Sequence, residues 1–264
     1  MSQWPNHDSD HARVYSWLKA ATVNYRFRPG EQLMISELAD RLRVSSTLIR
    51  ESLIRLQVEE LLDNVPRRGF FAKTLNLKEM IDLTQFRFVI LNSSVERAVA
   101  SSDNLNPSPL TRLAPGPGSP NGNTSPQGAS GATPLDQTHD HVRLVEKAWK
   151  EIVALSQNDA VMRAFINVCD RTHYVRMIDF ESAGRLGSEQ SLLNEMLKAL
   201  ERKSASSAVT ILKDSLADQV ASMPALVKEG ISRAYIMPPP FGDPPQMGFS
   251  SSSRGSPRIM NVRR

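Results

Sequence analysis

Hydrophobic and polar positions between residues 35 and 56 alternate in a way that predicts two short helices on either side of a tight turn. Apolar residues recur three and four positions apart, which places them on one buried face of each helix. Ser36 is a candidate N-cap for the first helix, and Ser45 or Ser46 for the second. The apolar positions of the two helices are Ile35, Leu38, Ala39, Leu42, Ile49, Leu53 and Leu56. The order of helix, short turn and helix predicts a helix-turn-helix unit.

The segment 65–72, VPRRGFFA, follows the second helix and predicts a short pair of strands. Gly69 can adopt a positive φ in the turn, and Arg67 with Arg68 would lie at its tip. Amphipathic helices with caps occur in many small domains, so the helix pair alone carries limited weight. Two adjacent arginines on a hairpin suit phosphate and minor-groove contact better than they suit a core. The segment therefore predicts a winged helix-turn-helix that binds double-stranded DNA.

The remaining sequence predicts a mainly α-helical protein in which an antiparallel helical bundle follows the winged domain. Helical periodicity marks residues 77–100, 140–157, 159–182, 188–203 and 205–228. Two stretches rich in Pro, Gly and Ser contain too little apolar surface to offset chain entropy. The predicted organisation is a DNA-binding domain at 10–75, a linking helix at 77–100, a disordered insert at 104–135, a helical effector and dimerisation bundle at 138–228, and a flexible tail at 231–264.

Charge and cysteine content change this interpretation little. The net charge of +4 equals the excess carried by the segment 231–264, so overall basicity is weak evidence for nucleic acid. The local cluster Arg43, Arg50, Arg55, Arg67 and Arg68 is the stronger evidence. The single cysteine has apolar neighbours that indicate core packing. No signal peptide or membrane-spanning run is recognised, so a cytoplasmic protein without a membrane partner is expected.

The segment 12–72 resembles the N-terminal domain of the GntR family of bacterial transcription regulators. The resemblance rests on ARVYSWLKAATVNY, the connector RPGEQL, and the motifs SELADRL, VSSTLIRESLIRL and PRRGFF. Ser46 replaces one family arginine, Arg50 matches a second, and Arg43 and Glu60 replace glycines. What the resemblance implies is that the second helix is the recognition helix. The implied DNA contacts are Ser45, Ser46, Thr47, Arg50, Arg67, Arg68 and Gly69, and Arg43 is either a phosphate contact or a solvated charge.

The segment 77–227 resembles the all-helical effector domain of the FadR-like subfamily, many members of which bind a divalent metal inside the bundle. The family's aspartate and histidine positions correspond here to Val145, Trp149, Leu193 and Ser215, which cannot supply that ligand set. A bundle without metal or other cofactor is therefore expected. The cluster Asp136, His139, Asp140 and His141 is an alternative metal site, although histidines next to a disordered insert are usually only solvated.

The loss of metal ligands leaves the role of the bundle open. Arg87 matches a family arginine that could receive an acidic ligand, with Trp149 in the same pocket; alternatively, Arg87 is a surface or interdomain charge. One hypothesis is a dimeric regulator that binds a pseudo-palindromic operator and responds to a small organic acid or acyl ligand. The other is a constitutive DNA-binding protein whose helical domain serves only dimerisation or protein interaction. No catalytic constellation is recognised, so an enzyme is not expected.

Overall fold

The fold is described from a computed structural model, which describes residues 7–100, 134–181 and 185–236. Its elements, in chain order, are α1 (His7–Val23), α2 (Ile35–Leu42), α3 (Ser46–Val58), β1 (Leu62–Val65), β2 (Gly69–Ala72), α4 (Leu77–Ala100), α5 (Pro134–Ala154), α6 (Asp159–Glu181), α7 (Arg185–Glu201) and α8 (Ala205–Ile236). This confirms a mainly helical protein with a winged helix-turn-helix ahead of a helical bundle.

The first three helices and the hairpin share one hydrophobic core. Apolar side chains from α1, α2, α3 and both strands are buried together, with Ile49, Leu53 and Leu56 of α3 at its centre. The periodicity of α2 and α3 predicts this face correctly. The predicted N-cap of α2 is wrong, because the helix begins at Ile35 with Met34 as its cap residue and Ser36 lies inside the first turn.

The wing is a two-stranded antiparallel sheet in which β1 pairs with β2. Leu62 pairs with Ala72 and Val65 with Gly69, so the turn consists of residues 66–68. The first strand therefore begins three residues before the predicted segment, while the arginines lie in the turn as predicted. Gln32 extends the sheet by one isolated bridge to Phe71, which joins the connector after α1 to the wing.

The five helices α4 to α8 form a second core around Trp149, Phe165, Leu193 and Met196. The two largest differences between predicted and observed helix boundaries lie at the start of the first bundle helix and at the end of the last one. The first bundle helix begins at Pro134 rather than residue 140, so that residues 134 and 135 are not part of an irregular insert. The last helix continues to Ile236, so residues 231–236 are helical rather than part of a tail. The rest of the predicted insert and tail lies outside the described residues.

Gly230 explains why the last helix was predicted too short. A glycine after an apolar run often marks a helix C-terminus, but Gly230 is buried inside α8. A β-carbon at this position would lie 2.8 Å from the Cδ2 atom of Leu75. The glycine thus permits close packing between α8 and the connector that follows the wing, and it does not end the helix.

The outer face of α4 differs from the pattern expected for it. The apolar residues Phe86 and Val89 lie on this outer face and are 47% and 58% exposed. The buried face of α4 runs instead through Leu83, Arg87 and Ile90. The positions of apolar residues alone do not identify this buried face, because one of its members, Arg87, is charged.

Candidate nucleic-acid interface

The turn between α2 and α3 is built by two local backbone devices. Arg43 ends α2 in the left-handed conformation, with a φ of 54°, and the Val44 amide donates to the Ala39 carbonyl at 3.0 Å. Ser45 then caps α3, because its hydroxyl accepts a hydrogen bond from the Leu48 amide at 3.2 Å. These devices place Ser45 and Ser46 at the exposed start of α3.

The exposed face of α3 carries the residues predicted to contact DNA. Thr47 and Arg50 lie on the same side of the helix as Ser46, opposite the buried face that contains Ile49 and Leu53. Among the described residues, no carboxylate forms an ion pair with Arg50. A free guanidinium on a helix of this kind can form two hydrogen bonds to a guanine edge or to phosphate oxygens.

The wing tip carries two further exposed arginines. Arg67 has a φ of 65° and Gly69 a φ of 92°, so the turn requires the left-handed region at both positions. The Arg68 amide donates to the Val65 carbonyl at 2.9 Å, which closes the turn. The guanidinium of Arg68 lies 5.2 Å from the centre of the Phe71 ring. Both arginine side chains are exposed and lie at the end of the hairpin.

Arg55 is exposed, with a side-chain exposure of 64%, but it also has partners within the winged domain. Its guanidinium stacks 3.8 Å from the centre of the Tyr15 ring, and its Nε atom donates to Glu59 at 3.3 Å. One face of the side chain therefore packs against α1. The exposed basic residues of the helix-turn-helix and wing are Arg41, Arg43, Arg50, Arg55, Arg67 and Arg68.

A second group of polar residues lies inside the helical bundle around Arg87. This side chain is only 6% exposed, and its Nη1 atom is 3.5 Å from the amide oxygen of Gln219. Its Nε atom is buried without a hydrogen-bond partner. Arg87 lies 5.8 Å from the centre of the Trp149 ring, and the indole of Trp149 donates to Glu189 at 2.9 Å. Arg87 is thus neither a surface charge nor an interdomain charge.

Two small cavities, with about 20 and 10 Å³ of free volume, meet at Arg87, and each has room for about one water molecule. Both also include Thr84 and Gln219 in their walls. The first contains Trp149 together with the apolar side chains Leu91, Leu192, Leu212 and Leu216. The arrangement is an apolar space with one cationic group at its end, and a small amphipathic anion would fit it only if the surrounding side chains moved apart.

The charges next to this space stabilise one another through Glu146. Its carboxylate accepts hydrogen bonds from Arg176 at 2.6 Å and is 3.0 Å from the Nδ1 atom of His173. Burial alone would raise the pKa of Glu146, but the positive charges of Arg176 and His173 lower that pKa to about 2. Burial lowers the pKa of Arg87, and the nearby charge of Arg176 lowers it further.

The residues at the family's metal positions do not fit a metal. Val145, Trp149 and Leu193 are buried and offer no ligand atom for a divalent cation, and Ser215 accepts a hydrogen bond from Gln219 at 3.0 Å. Within the described residues, no group of three or more His, Cys, Asp or Glu side chains is arranged to hold a metal ion. The side chains of Asp136, His139, Asp140 and His141 lie outside the described part of the structure.

Sequence reasoning did not identify Glu146, Arg176 or Glu189 as part of the buried site. A signal for two of them exists in the sequence, because Arg176 and Glu189 occur at helical spacing with apolar residues that are buried. Glu189 precedes Leu193, Met196 and Leu200 by four, seven and eleven positions. A charged residue on an otherwise apolar face indicates either a buried ion pair or a ligand site.

No helix in the described ranges has the length and hydropathy needed to cross a membrane.

Comparison with known proteins agrees with this architecture. Residues 11–72 match the family described as bacterial regulatory proteins, gntR family. The Nta operon transcriptional regulator of Aminobacter aminovorans is 31% identical over 170 residues, which covers 64% of this chain and 74% of the relative.

Solved structures share the fold over most of the chain. McbR/YncC of E. coli is 16% identical and covers 81% of this chain and 97% of its own, with a TM-score of 0.59. A GntR regulator from Rhodococcus sp. RHA1 is 18% identical, covers 82% of this chain and 98% of its own, and also has a TM-score of 0.59. The winged helix-turn-helix, the family match to it and the relative that extends into the helical bundle show that this chain belongs to the GntR family of DNA-binding bacterial transcriptional regulators.

Proposed function

We propose that this regulator acts as a homodimer on a pseudo-palindromic operator, with one α3 helix in each of two successive major grooves. The observation that supports this is the exposure of Arg50 on α3 and of Arg67 and Arg68 at the wing tip. Dimers of helix-turn-helix proteins bind half-sites separated by about 34 Å or a multiple of it. Because its target is the bacterial chromosome, the proposed location is the cytoplasm.

The two groups of arginines have different roles in this proposal. Arg50, with Ser46 and Thr47, contacts base edges, because α3 presents them on one exposed face. The wing arginines contact phosphates or the minor groove beside that site. Replacing Arg67 and Arg68 together by alanine is expected to weaken binding to all sequences alike. The slope of affinity against salt concentration should become shallower by about two, because each phosphate contact contributes about 0.9 to it. An unchanged slope would contradict this role.

We further propose that the helical domain is of the FadR-like type and binds a small organic acid or acyl carboxylate without a metal. Arg87 supports this proposal, because a buried guanidinium without a full set of hydrogen bonds is costly. A carboxylate at this position would accept from both the orphan Nε and a terminal nitrogen of Arg87. The apolar part of the ligand would extend along Leu91, Leu212 and Leu216.

A thermal-shift screen against carboxylic acids of increasing chain length tests this role of Arg87. At least one acid is expected to raise the Tm of the protein and to change its affinity for the selected operator. The variant Arg87→Met should lose both responses while Arg163→Met, an exposed arginine on α6, keeps them. If no acid changes operator affinity, the helical domain serves dimerisation or protein interaction only, and DNA binding is constitutive.

A metal titration is the complementary test of the bundle. Adding zinc or nickel should not raise the Tm, because the buried positions Val145, Trp149 and Leu193 provide no ligands. Tight, stoichiometric binding with an increase in Tm would contradict the proposal of a metal-free effector domain.

A further inference from the structure

The C-terminal end of the recognition helix α3 contacts the helical bundle directly. Glu59 is the C-cap residue of α3, and its backbone carbonyl accepts a hydrogen bond from the amide side chain of Asn167 at 2.7 Å. Asn167 lies in α6, a helix whose buried face is part of the bundle core. The α3 helix thus presents its N-terminal turn outward and has its other end attached to the effector domain.

Arg171, one turn further along α6, forms the second attachment. Its Nη1 atom is 2.7 Å from the carboxylate of Glu60, and its Nη2 atom is 2.6 Å from that of Glu79 at the start of α4. The guanidinium therefore holds the end of the recognition helix and the first turn of the linking helix at the same time. Its side chain is only 14% exposed, so the geometry of the contact is well defined by its surroundings.

A third attachment reinforces the same end of α3 from the side of α1. Lys19 lies 2.9 Å from Glu59 and 2.7 Å from Asp170 of α6. An isolated exposed ion pair contributes little. Here, however, Lys19 and Arg171 bridge carboxylates that belong to different domains, and both bridges converge on the two residues that end α3. The ring of Tyr25 also stacks on that of Tyr174, with centres 4.8 Å apart.

The backbone at Glu60 indicates that this contact is maintained at a local cost. Glu60 has a φ of 58°, a left-handed conformation that a residue with a β-carbon adopts unfavourably. A glycine would relieve that strain but could not reach Arg171. The carboxylate of Glu60 therefore stabilises the contact between the domains, whereas a glycine would suit the local backbone better.

We propose that Arg171 is a positioning residue for the recognition helix, which, through Glu60 and together with Asn167, fixes the orientation of the DNA-binding domain on the effector bundle. The orientation of α3 sets which surface reaches the major groove. Because α6 also carries His173 and Arg176, which bind Glu146, the same helix connects the end of α3 with the charged interior of the bundle.

Two variants with different expected effects on stability test this proposal. Glu60→Gly removes the carboxylate and the backbone strain together, so its Tm should be unchanged or higher than that of the wild type. Arg171→Met removes both ion pairs of Arg171, so its Tm should be lower. Both variants are expected to let the relative orientation of the two domains vary more. If Arg171 contributed only to stability, Glu60→Gly would not have this effect.

The readout is the distance distribution between spin labels in the two domains of the full chain. Cysteines replacing the exposed Asn64 and Glu195 carry the labels, and the native Cys169 is buried. Dilution with unlabelled protein restricts the measurement to distances within one chain. The matched control is Gln157→Gly, which relieves the same kind of strain, at a φ of 50°, in the loop between α5 and α6.

The expected result is a broader distance distribution in Glu60→Gly and Arg171→Met, and a distribution in Gln157→Gly as narrow as that of the wild type. The affinity of both loosened variants for selected DNA should fall on the order of fivefold, the lower end of typical coupling between sites. A distribution that stays narrow in Glu60→Gly or in Arg171→Met would overturn the positioning role, whatever the Tm of that variant.

Discussion

Arginines in the two domains of this regulator occupy opposite environments. In the winged domain, Arg50, Arg67 and Arg68 are exposed on the helix and turn that we propose contact DNA. In the bundle, Arg87 and Arg176 are buried. In this proposal the exposed arginines are solvated in the free protein and gain their interactions when DNA binds. The buried guanidinium groups must find hydrogen-bond partners within the fold. Arg176 has such a partner in Glu146, whereas the Nε atom of Arg87 has none. This difference separates residues kept for an external partner from those that stabilise the fold.

The largest effect is expected from breaking the buried pair at Glu146. The variant Glu146→Gln leaves the Arg176 guanidinium buried without its counter-charge. Loss of one partner of such a pair costs about 3–5 kcal/mol, and urea unfolding measures it. Glu195→Gln, on an exposed position of α7, is the control and should change the free energy of unfolding by less than about 0.5 kcal/mol. Equal effects of the two variants would show that Arg176 does not depend on Glu146.

Acid should reveal the same pair in the wild-type protein. Because the pKa of Glu146 is lowered from its ordinary value to about 2 in the folded state, its contribution to stability is fully present above about pH 4.5 and is lost as the pH falls towards 2. The loss amounts to roughly 3 kcal/mol. Unfolding measured at a series of pH values should show a steeper acid dependence in the wild type than in Glu146→Gln. Parallel curves would contradict the assigned pKa.

In the winged domain, the expected effect is on DNA affinity rather than on folding. Arg50→Ala should weaken binding to the preferred site by about 1–3 kcal/mol and relax the sequence preference, because an exposed base contact is removed without disturbing the core. Fluorescence anisotropy with labelled duplexes measures both changes. Lys228→Ala removes the same charge from an exposed position of α8, outside the winged domain, and is the control. Full affinity and an unchanged site for Arg50→Ala would disprove the assignment of α3.

The smallest effect is expected at the end of α2. Arg43 adopts a φ of 54°, so Arg43→Gly should stabilise the winged domain by about 0.5–1 kcal/mol, as measured by its Tm. At this position the backbone conformation favours glycine, whereas a phosphate contact favours arginine. A simultaneous loss of DNA affinity would identify Arg43 as a contact, whereas a decrease in Tm would contradict the strain assigned to this position.

The winged domain could be predicted closely because its signals are local. The apolar spacing of α2 and α3, the Ser45 cap and the glycine of the wing all act within a few residues, and the structure has each of them in place. The cap assigned to Ser36 is wrong because α2 begins at Ile35, after Met34 in an extended conformation, and has no side-chain cap.

The interior of the bundle could not be predicted in the same way. Its polar contacts join residues far apart in sequence, such as Glu146 with Arg176 and Arg87 with Gln219. Periodicity shows which face of a helix is buried but not which neighbour it meets. For Gly230 the local rule indicated a helix end, while the tertiary contact with Leu75 required a close approach inside the helix.

Selection of bound duplexes from a random pool tests the central claim most directly, namely that α3 and the wing bind DNA as a symmetric pair. The wild-type protein should enrich a two-fold-symmetric site whose half-sites are spaced by one helical turn or a multiple of it. Arg50→Ala should enrich a more degenerate form of the same site. Enrichment of a site without two-fold symmetry, or the same sharp site from both proteins, would contradict the account.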